Sequence, residues 1–246
     1  RSRHAKKITT GICLIFRGLF FEHNENIRQS RFGGTGWALT ITLGGNTMIE
    51  EFLAGNRRFV DEEFNKNVDF YSDLSNSQHP KILWIGCSDS RVSEDVITSS
   101  KPGSIFVHRN IANIVAFNDI NIASIIEYAV THLKIPDIIV CGHYNCGGVQ
   151  AMLEGVEEHY IADWLLIASG AIAKAKQVAD EMKLSRKEHL DLLSEENVKL
   201  QIKHLRGLSL IRNLHKKGSL PRIHGWIYSV ESGEINVLVD GYNHEA

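Results

Sequence analysis

Three short apolar runs constrain the fold of this chain more than any other sequence feature. They are residues 81–86 (KILWIG), 104–108 (SIFVH) and 137–142 (DIIVCG). Runs of this length and composition are typical of strands buried on both faces of a sheet. Residues 119–134, between the second and third runs, repeat apolar side chains at helical spacing. Strand–helix–strand order predicts parallel pairing, so we expect an α/β fold with a mostly parallel central sheet flanked by helices.

An N-terminal helical arm is predicted directly before the first strand region. Thr47 is a typical N-cap for residues 48–64. The helix would carry its apolar side chains on one face, a stripe that needs a partner. These side chains are Ile49, Phe52, Leu53, Phe59 and Val60. We expect this helix to open a catalytic domain over residues 48–246.

Helices and a final hairpin are predicted downstream of the third strand. Ser185 and Glu188 have the spacing of a capping box, Ser194 is a second candidate cap, and Gly218 is a candidate stop. Residues 222–240 contain two apolar runs around the turn sequence ESG, which indicates a hairpin at the edge of the sheet.

The first 47 residues are expected to form a basic, glycine-containing extension. Residues 1–21 contain five Lys or Arg and no acidic residue, a composition typical of an organellar presequence. An unstructured basic tail or an artefact of the gene model are the alternatives. The four scattered cysteines do not form the framework of a disulfide-rich secreted domain. We therefore expect a cytoplasmic or mitochondrial matrix location, not secretion.

The charge and hydropathy of the chain exclude several classes of partner. Its 27 basic and 29 acidic residues give a net charge of -2, without the basic surplus that nucleic-acid binding requires. No apolar stretch is long enough to predict a membrane span. A small-molecule partner is therefore expected.

Two cysteines and a histidine follow two of the predicted strands. Cys87 lies in GCSDSR, and His143 and Cys146 lie in CGHYNCGG. The carboxyl ends of parallel strands meet at one sheet edge, where α/β proteins bind ligands. A Cys–His–Cys set suits Zn²⁺ and leaves a fourth position open, as in catalytic zinc sites. A packed imidazole with buried thiols is the alternative, and Cys141 either pairs with Cys146 or is a buried strand residue.

The motifs CSDSR and HYNCGG, in this order, resemble those of the β-class carbonic anhydrases, closest to fungal and bacterial members. The resemblance covers roughly residues 48–240 and includes FLAGNRRF, HRNIAN, EYAV and HGWIY. It implies a carbonate dehydratase, a lyase that reversibly hydrates CO₂ to bicarbonate and a proton by a zinc-bound hydroxide. It also implies one Zn²⁺ per chain, held by Cys87, His143 and Cys146.

The resemblance implies further roles for residues of both motifs. Asp89 would accept a hydrogen bond from the zinc-bound hydroxide, and Arg91 would hold that carboxylate away from zinc; a surface ion pair is the alternative. Gly147 and Gly148 are expected to let the backbone turn tightly into the next helix.

Three more residues match relatives that bind bicarbonate at a regulatory, noncatalytic pocket. These are Trp84, Arg109 and Tyr228. Packing of two aromatic rings and a structural arginine is the alternative interpretation. The resemblance also implies a homodimer or a dimer of dimers, in which the first helix embraces the neighbouring subunit.

Other functions remain open from the sequence. A metal-free cysteine-nucleophile enzyme of sulfurtransferase type needs one reactive thiolate. A non-catalytic binding module stabilised by zinc would normally have four protein ligands, which leave no coordination position open. Within the same fold, hydrolysis of carbon disulfide is a further alternative to the hydration of CO₂.

Overall fold

The computed structural model describes residues 30–31, 37–38 and 47–242. The expectations for residues 1–47 therefore fall largely outside the described part of the chain. The chain divides into two compact units between Asp73 and Leu74.

The first unit contains a small antiparallel sheet and the predicted arm helix. Strand β1 (Ser30–Arg31) pairs with β2 (Trp37–Ala38). Helix α1 spans Met48–Glu62, and a 3-10 turn follows at Phe64–Lys66. Helix α2 (Val68–Asn76) crosses the boundary between the units.

Helix α1 begins where the sequence predicts. Thr47 Oγ1 accepts a hydrogen bond from Glu50 N at 3.3 Å, and Thr47 N donates to Glu50 Oε2 at 2.7 Å. This reciprocal capping box satisfies two backbone donors at the start of the helix. No residue of α1 is buried, and Phe52 is 73% exposed. The apolar face predicted for this helix is thus exposed in the single chain.

The second unit is built on a five-stranded sheet with the order β4-β3-β5-β6-β7. The strands are β3 (Ile82–Cys87), β4 (Ile105–Asn110), β5 (Asp137–His143), β6 (Arg222–Tyr228) and β7 (Ile235–Val239). The first four run parallel, and β7 pairs antiparallel with β6. The mostly parallel sheet and the closing hairpin are confirmed. Strands β4 and β5 are parallel, but they do not pair with each other, because β3 lies between them.

Helices cover this sheet. They are α3 (Glu94–Thr98), α4 (Ile120–Glu127), α5 (Gly147–Glu154), α6 (His159–Leu165), α7 (Ser169–Met182), α8 (Arg186–Gly207) and α9 (Ser209–Lys216). A π-helical turn, Tyr128–His132, extends α4, and 3-10 turns lie at Ile111–Asn113 and Leu166–Ala168.

The start of α8 and the end of α9 agree with the sequence, but one predicted cap is wrong. Ser185 forms the expected capping box with Glu188, and Gly218 follows α9 with φ +66°. Ser194 lies inside α8 and does not begin a new helix. Its hydroxyl donates to Leu190 O at 2.9 Å. The helix continues there because the carbonyl one turn earlier satisfies the hydroxyl.

The two faces of the sheet bury different side chains, as strand alternation requires. Leu83 of β3 and Ile138 of β5 pack with α4 and α8 in the main core. Trp84 and Ile139, the next residues along, belong to a second cluster with Cys141. Within the described residues, none of the helices is long and apolar enough to cross a membrane.

Candidate metal centre

Three elements bring Cys87, His143 and Cys146 together at one edge of the sheet. Cys87 is the last residue of β3, His143 is the last residue of the adjacent β5, and Cys146 is the N-cap of α5. Their ligand atoms all lie within 4.8 Å of one another, and the two sulfur atoms are 3.8 Å apart. All three residues are buried. The juxtaposition expected from the sequence is therefore present.

The imidazole of His143 is oriented for a metal. Its Nδ1 donates to the carbonyl of Tyr144 at 2.9 Å, so the proton lies on Nδ1 and the lone pair lies on Nε2. Nε2 is buried and has no hydrogen-bond partner. A buried polar atom without a partner costs free energy, and a cation next to the two thiols would satisfy it. Two cysteines with one imidazole are a zinc donor set, so the residues fit this metal.

Backbone N–H groups favour the thiolate form of both cysteines. Those of Asp89 and Ala112 act to lower the pKa of Cys87, and those of Gly148 and Val149 act to lower the pKa of Cys146. Such donors favour the thiolate form that a metal requires.

The two thiols share a proton. The hydrogen bond from Cys146 is the main reason that the pKa of Cys87 falls to about 4, although burial opposes the shift. The same hydrogen bond and burial raise the pKa of Cys146. The contact between the two sulfur atoms therefore favours a Cys87 thiolate that accepts a hydrogen bond from the Cys146 thiol.

Asp89 and Arg91 form a bidentate pair beside His143. Arg91 Nε donates to Asp89 Oδ1 at 2.9 Å, and Arg91 Nη2 donates to Oδ2 at 2.6 Å. Asp89 Oδ2 lies 3.7 Å from His143 Nε2. The hydrogen bonds from Arg91 are the main cause that holds the pKa of Asp89 far below its usual range, against a smaller effect of burial. Asp89 is therefore a carboxylate, a pure acceptor, next to the candidate metal position.

The turn between His143 and α5 differs in one respect from the expectation. Asn145, not Gly147 or Gly148, is the left-handed residue, with φ +56°. Its carbonyl accepts from Arg91 Nη2 at 2.9 Å, which links the two motifs. Gly148 is needed for close approach, because a Cβ there would lie 3.0 Å from both Ile111 and Ala112.

Two of the three residues predicted to bind regulatory bicarbonate lie in one cluster. Trp84 is 1% exposed and meets the ring of Trp226 edge to face, with centroids 6.0 Å apart. Tyr228 packs against the same cluster, on the sheet face that carries Cys141. Cys141 lies in β5 and is not part of the Cys–His–Cys group.

The third residue, Arg109, binds the loop that follows β3. Its Nε donates to Cys87 O at 2.9 Å, and its Nη2 donates to Asp89 O and Val92 O, each at 2.6 Å. Nη1 lies 3.8 Å from Glu94 Oε2. Arg109 therefore fixes the backbone that carries Cys87 and Asp89.

The sequence did not predict a group of residues in the turn after β4 and on α8, next to the candidate metal centre. Ala112 and Asn113 have positive φ, and Asn197 and Gln201 of α8 hydrogen-bond to this region. Alanine gives no signal for a left-handed backbone, so Ala112 could not be found. Asn197 and Gln201 could have been noticed as polar residues next to the apolar side chains Val198, Ile202 and Leu205 of α8.

Comparison with known proteins identifies several that this chain is similar to. Residues 82–235 match the family model described as "Carbonic anhydrase". A carbonic anhydrase of Emericella nidulans is 34% identical over 198 residues, which cover 77% of this chain and 82% of that protein. One of Synechocystis sp. is 35% identical over 206 residues, which cover 80% and 73%. A structure from work on two tetrameric β-carbonic anhydrases of Sordaria macrospora matches with a TM-score of 0.72 and 36% identity, covering 78% of this chain and 97% of that one.

Proposed function

This chain belongs to the β-class carbonic anhydrases, and from that membership we propose that it holds one Zn²⁺ per chain and reversibly hydrates CO₂ to bicarbonate and a proton. It is a lyase of this family, whose general reaction is CO₂ hydration. The observation that carries the proposal is the buried Cys87–His143–Cys146 group, in which His143 Nε2 has no other partner.

Cys87, His143 and Cys146 would hold the zinc and leave the fourth position for a water molecule or substrate. Zinc there would supply Lewis acidity, which lowers the pKa of a coordinated water to about 7 and provides a nucleophile near neutral pH. The two thiolates partly neutralise the metal charge, so the groups that hydrogen-bond to them matter for this acidity.

Asp89 and Arg91 would orient the nucleophile. The Asp89 carboxylate can only accept a hydrogen bond, and Oδ2 lies 3.7 Å from His143 Nε2. An acceptor at this place would fix the O–H of the nucleophile and leave a lone pair free for the carbon of CO₂. Arg91 binds both carboxylate oxygens and so restrains Asp89 from becoming a metal ligand itself.

We further propose that Trp84, Arg109 and Tyr228 bind bicarbonate as a regulatory ligand. Trp84 and Tyr228 pack in one cluster, which supports this proposal. Arg109 donates to the carbonyls of Cys87, Asp89 and Val92, so an anion that took over these donors would release the loop that carries Asp89. Bicarbonate would have to favour a less active state by differential affinity. We expect activity to fall cooperatively with bicarbonate and to fall steeply at lower pH. A Trp84→Ala or Tyr228→Phe variant should lose the inhibition but keep hydration at high pH. Weak, noncooperative inhibition of the unmutated enzyme from about pH 7 to 9 would contradict this role.

The chain is also proposed to assemble with copies of itself, as a homodimer or a dimer of dimers. The exposed apolar face of α1 and the tetrameric relatives in Sordaria macrospora support this. We assign catalysis to residues 48–246, since every proposed site residue lies there. The described cysteines are free thiols, which suits the proposed cytoplasmic or mitochondrial matrix location.

A CO₂-hydration assay on the purified chain, before and after zinc removal by a chelator, tests the function. We expect activity that disappears with zinc and returns when zinc is added back. Full activity of the zinc-free protein would overturn the proposal and favour a metal-free cysteine-nucleophile enzyme. Stoichiometric zinc without hydration would favour a binding module or another substrate such as carbon disulfide.

A further inference from the structure

Two consecutive residues after β4 have a backbone conformation that side chains rarely adopt. Ala112 has φ +62° and ψ +28°, and Asn113 has φ +49°. Their exposed fractions are 0% and 2%. Left-handed backbone is costly for alanine and persists only where the surroundings hold it. Contacts with the surrounding residues must therefore hold this turn in its left-handed conformation.

Part of the support is local. The side chain of Asn110 closes the turn from one end, since its Oδ1 accepts from Ile114 N at 2.7 Å and its Nδ2 donates to Ile114 O at 2.8 Å. These bonds span the turn but leave the carbonyl of Ala112 to other partners.

The rest of the support comes from α8, about 85 residues further along the chain. Asn197 Nδ2 donates to Ala112 O at 2.9 Å, and Gln201 Nε2 donates to Asn197 Oδ1 at 2.8 Å. Gln201 Oε1 accepts from Val115 N at 2.8 Å, and His204 Nδ1 donates to Val115 O at 3.0 Å. Asn197 and Gln201 are almost completely buried. A row of polar side chains on one face of α8 thus holds the turn.

The turn touches the metal centre on two sides. Ala112 packs with Cys87 and Cys146 in one buried cluster, and its backbone N–H acts to lower the pKa of the Cys87 thiol. Gly148, two residues after Cys146, approaches Ala112 so closely that an added Cβ would lie 3.0 Å from the alanine Cβ. The direction of the Ala112 amide depends on the left-handed conformation, because rotation of φ and ψ turns the peptide planes on either side.

We propose that Asn197, supported by Gln201, is a positioning residue for the metal centre. Its hydrogen bond to Ala112 O fixes the left-handed turn, and the turn directs the Ala112 amide at the Cys87 thiolate. An amide that donates to a thiolate withdraws charge from it, so the thiolate is held in one direction and a bound zinc ion stays a stronger Lewis acid. This inference rests on the proposed zinc function.

The test compares Asn197→Ala with Glu196→Ala in the full chain. Glu196 is the neighbouring buried residue on α8, but it pairs with Lys174 and Lys199 instead of the turn. Zinc affinity is measured by competition with a chromogenic chelator. We expect Asn197→Ala to weaken zinc binding by about 10–100-fold, the usual effect of losing an outer partner of a ligand. Glu196→Ala should leave zinc affinity unchanged.

Two further variants keep the inference testable if Asn197→Ala folds poorly. In Asn197→Ser, the hydroxyl can bond the carbonyl one turn earlier in α8 but cannot reach Ala112 O. Ala112→Gly adopts the left-handed backbone without a Cβ, so it should recover part of the zinc affinity lost in either Asn197 variant. A cobalt-substituted protein gives an independent measure, because loss of the amide should shift its thiolate-to-cobalt charge-transfer band.

The outcomes separate this inference from the proposed function. If the unmutated chain binds zinc and both Asn197 variants bind it equally tightly with the same cobalt spectrum, the positioning role is wrong and the proposed function stands. If the unmutated chain takes up no zinc, both are wrong. Equal weakening by Glu196→Ala would mean that the effect is general destabilisation of α8, which also overturns the inference.

Discussion

At the scale of single residues, the site depends on how each polar atom is satisfied. His143 Nδ1 donates a hydrogen bond to a backbone carbonyl, which leaves the lone pair of Nε2 for a metal. Both carboxylate oxygens of Asp89 accept hydrogen bonds from Arg91. The first arrangement prepares a ligand, and the second keeps a carboxylate charged and restrained beside it.

Asp89→Asn should keep zinc but lower the rate of CO₂ hydration. The amide retains the shape of the side chain but loses the charge and one acceptor, so it orients the nucleophile poorly. We expect kcat to fall by about 10–100-fold, measured by stopped flow, with zinc content unchanged. Ser90→Ala, on the exposed residue next to it, is the matched control and should behave like the unmutated enzyme. Loss of zinc at an unchanged rate per bound metal would contradict the role given to Asp89.

At the scale of elements, much of the fold follows from sequence and some of it does not. The juxtaposition of the candidate metal ligands could be predicted because Cys87 and His143 each end a buried strand, and parallel strands end at one edge. The contact of Asn197 with Ala112 could not, since it joins residues far apart in sequence through a backbone conformation that alanine does not signal. The helix cap predicted at Ser194 is wrong because the hydroxyl of a buried serine can donate to the carbonyl one turn earlier in the same helix.

The opposite edge of the sheet carries an ion-pair network that joins the starts of β5 and β6. Arg222 Nε and Nη2 donate to the two oxygens of Asp137 at 2.6 and 2.7 Å. His224 Nδ1 accepts from Gly241 N, so His224 Nε2 carries a proton and donates to Asp137 Oδ1 at 3.1 Å. Burial of Asp137 opposes its ionisation, but these hydrogen bonds hold the pKa of Asp137 below its ordinary value.

Asp137→Asn should therefore destabilise the fold in a pH-dependent way. A carboxyl group whose pKa is lowered on folding stabilises the native state above its unfolded pKa of about 3.9 and loses that effect as pH falls. We expect the midpoint of thermal unfolding to fall by about 2–4 °C at pH 7, with the difference from the unmutated chain shrinking below about pH 4. Asp180→Asn breaks an exposed pair with Lys176 and should have no measurable effect. A pH-independent difference would contradict this account.

At the scale of the whole molecule, the single chain exposes apolar side chains of α1 that a stable soluble surface would usually cover. Met48, Ile49 and Phe52 are 72%, 68% and 73% exposed. Covering a side chain of this size contributes about 1.5–3 kcal/mol. A second copy of the chain is proposed above to cover this apolar face of α1.

Phe52→Glu should weaken assembly. A carboxylate on this face would have to be buried without a partner in the interface, at a high cost. We expect light scattering to show a smaller mean mass than for the unmutated chain at the same concentration. Phe52→Leu keeps an apolar side chain and should preserve the assembly. An unchanged mass for Phe52→Glu would show that α1 does not form the interface.

Zinc content per chain, measured by mass spectrometry on ligand variants, tests the central claim most directly. Cys87, His143 and Cys146 form the buried group, whereas Cys141 lies outside it. We expect about one zinc per chain in the unmutated protein and in Cys141→Ser, and almost none in Cys87→Ser, His143→Ala or Cys146→Ser. Zinc retained in all three ligand variants, or lost only in Cys141→Ser, would contradict the assignment of this centre.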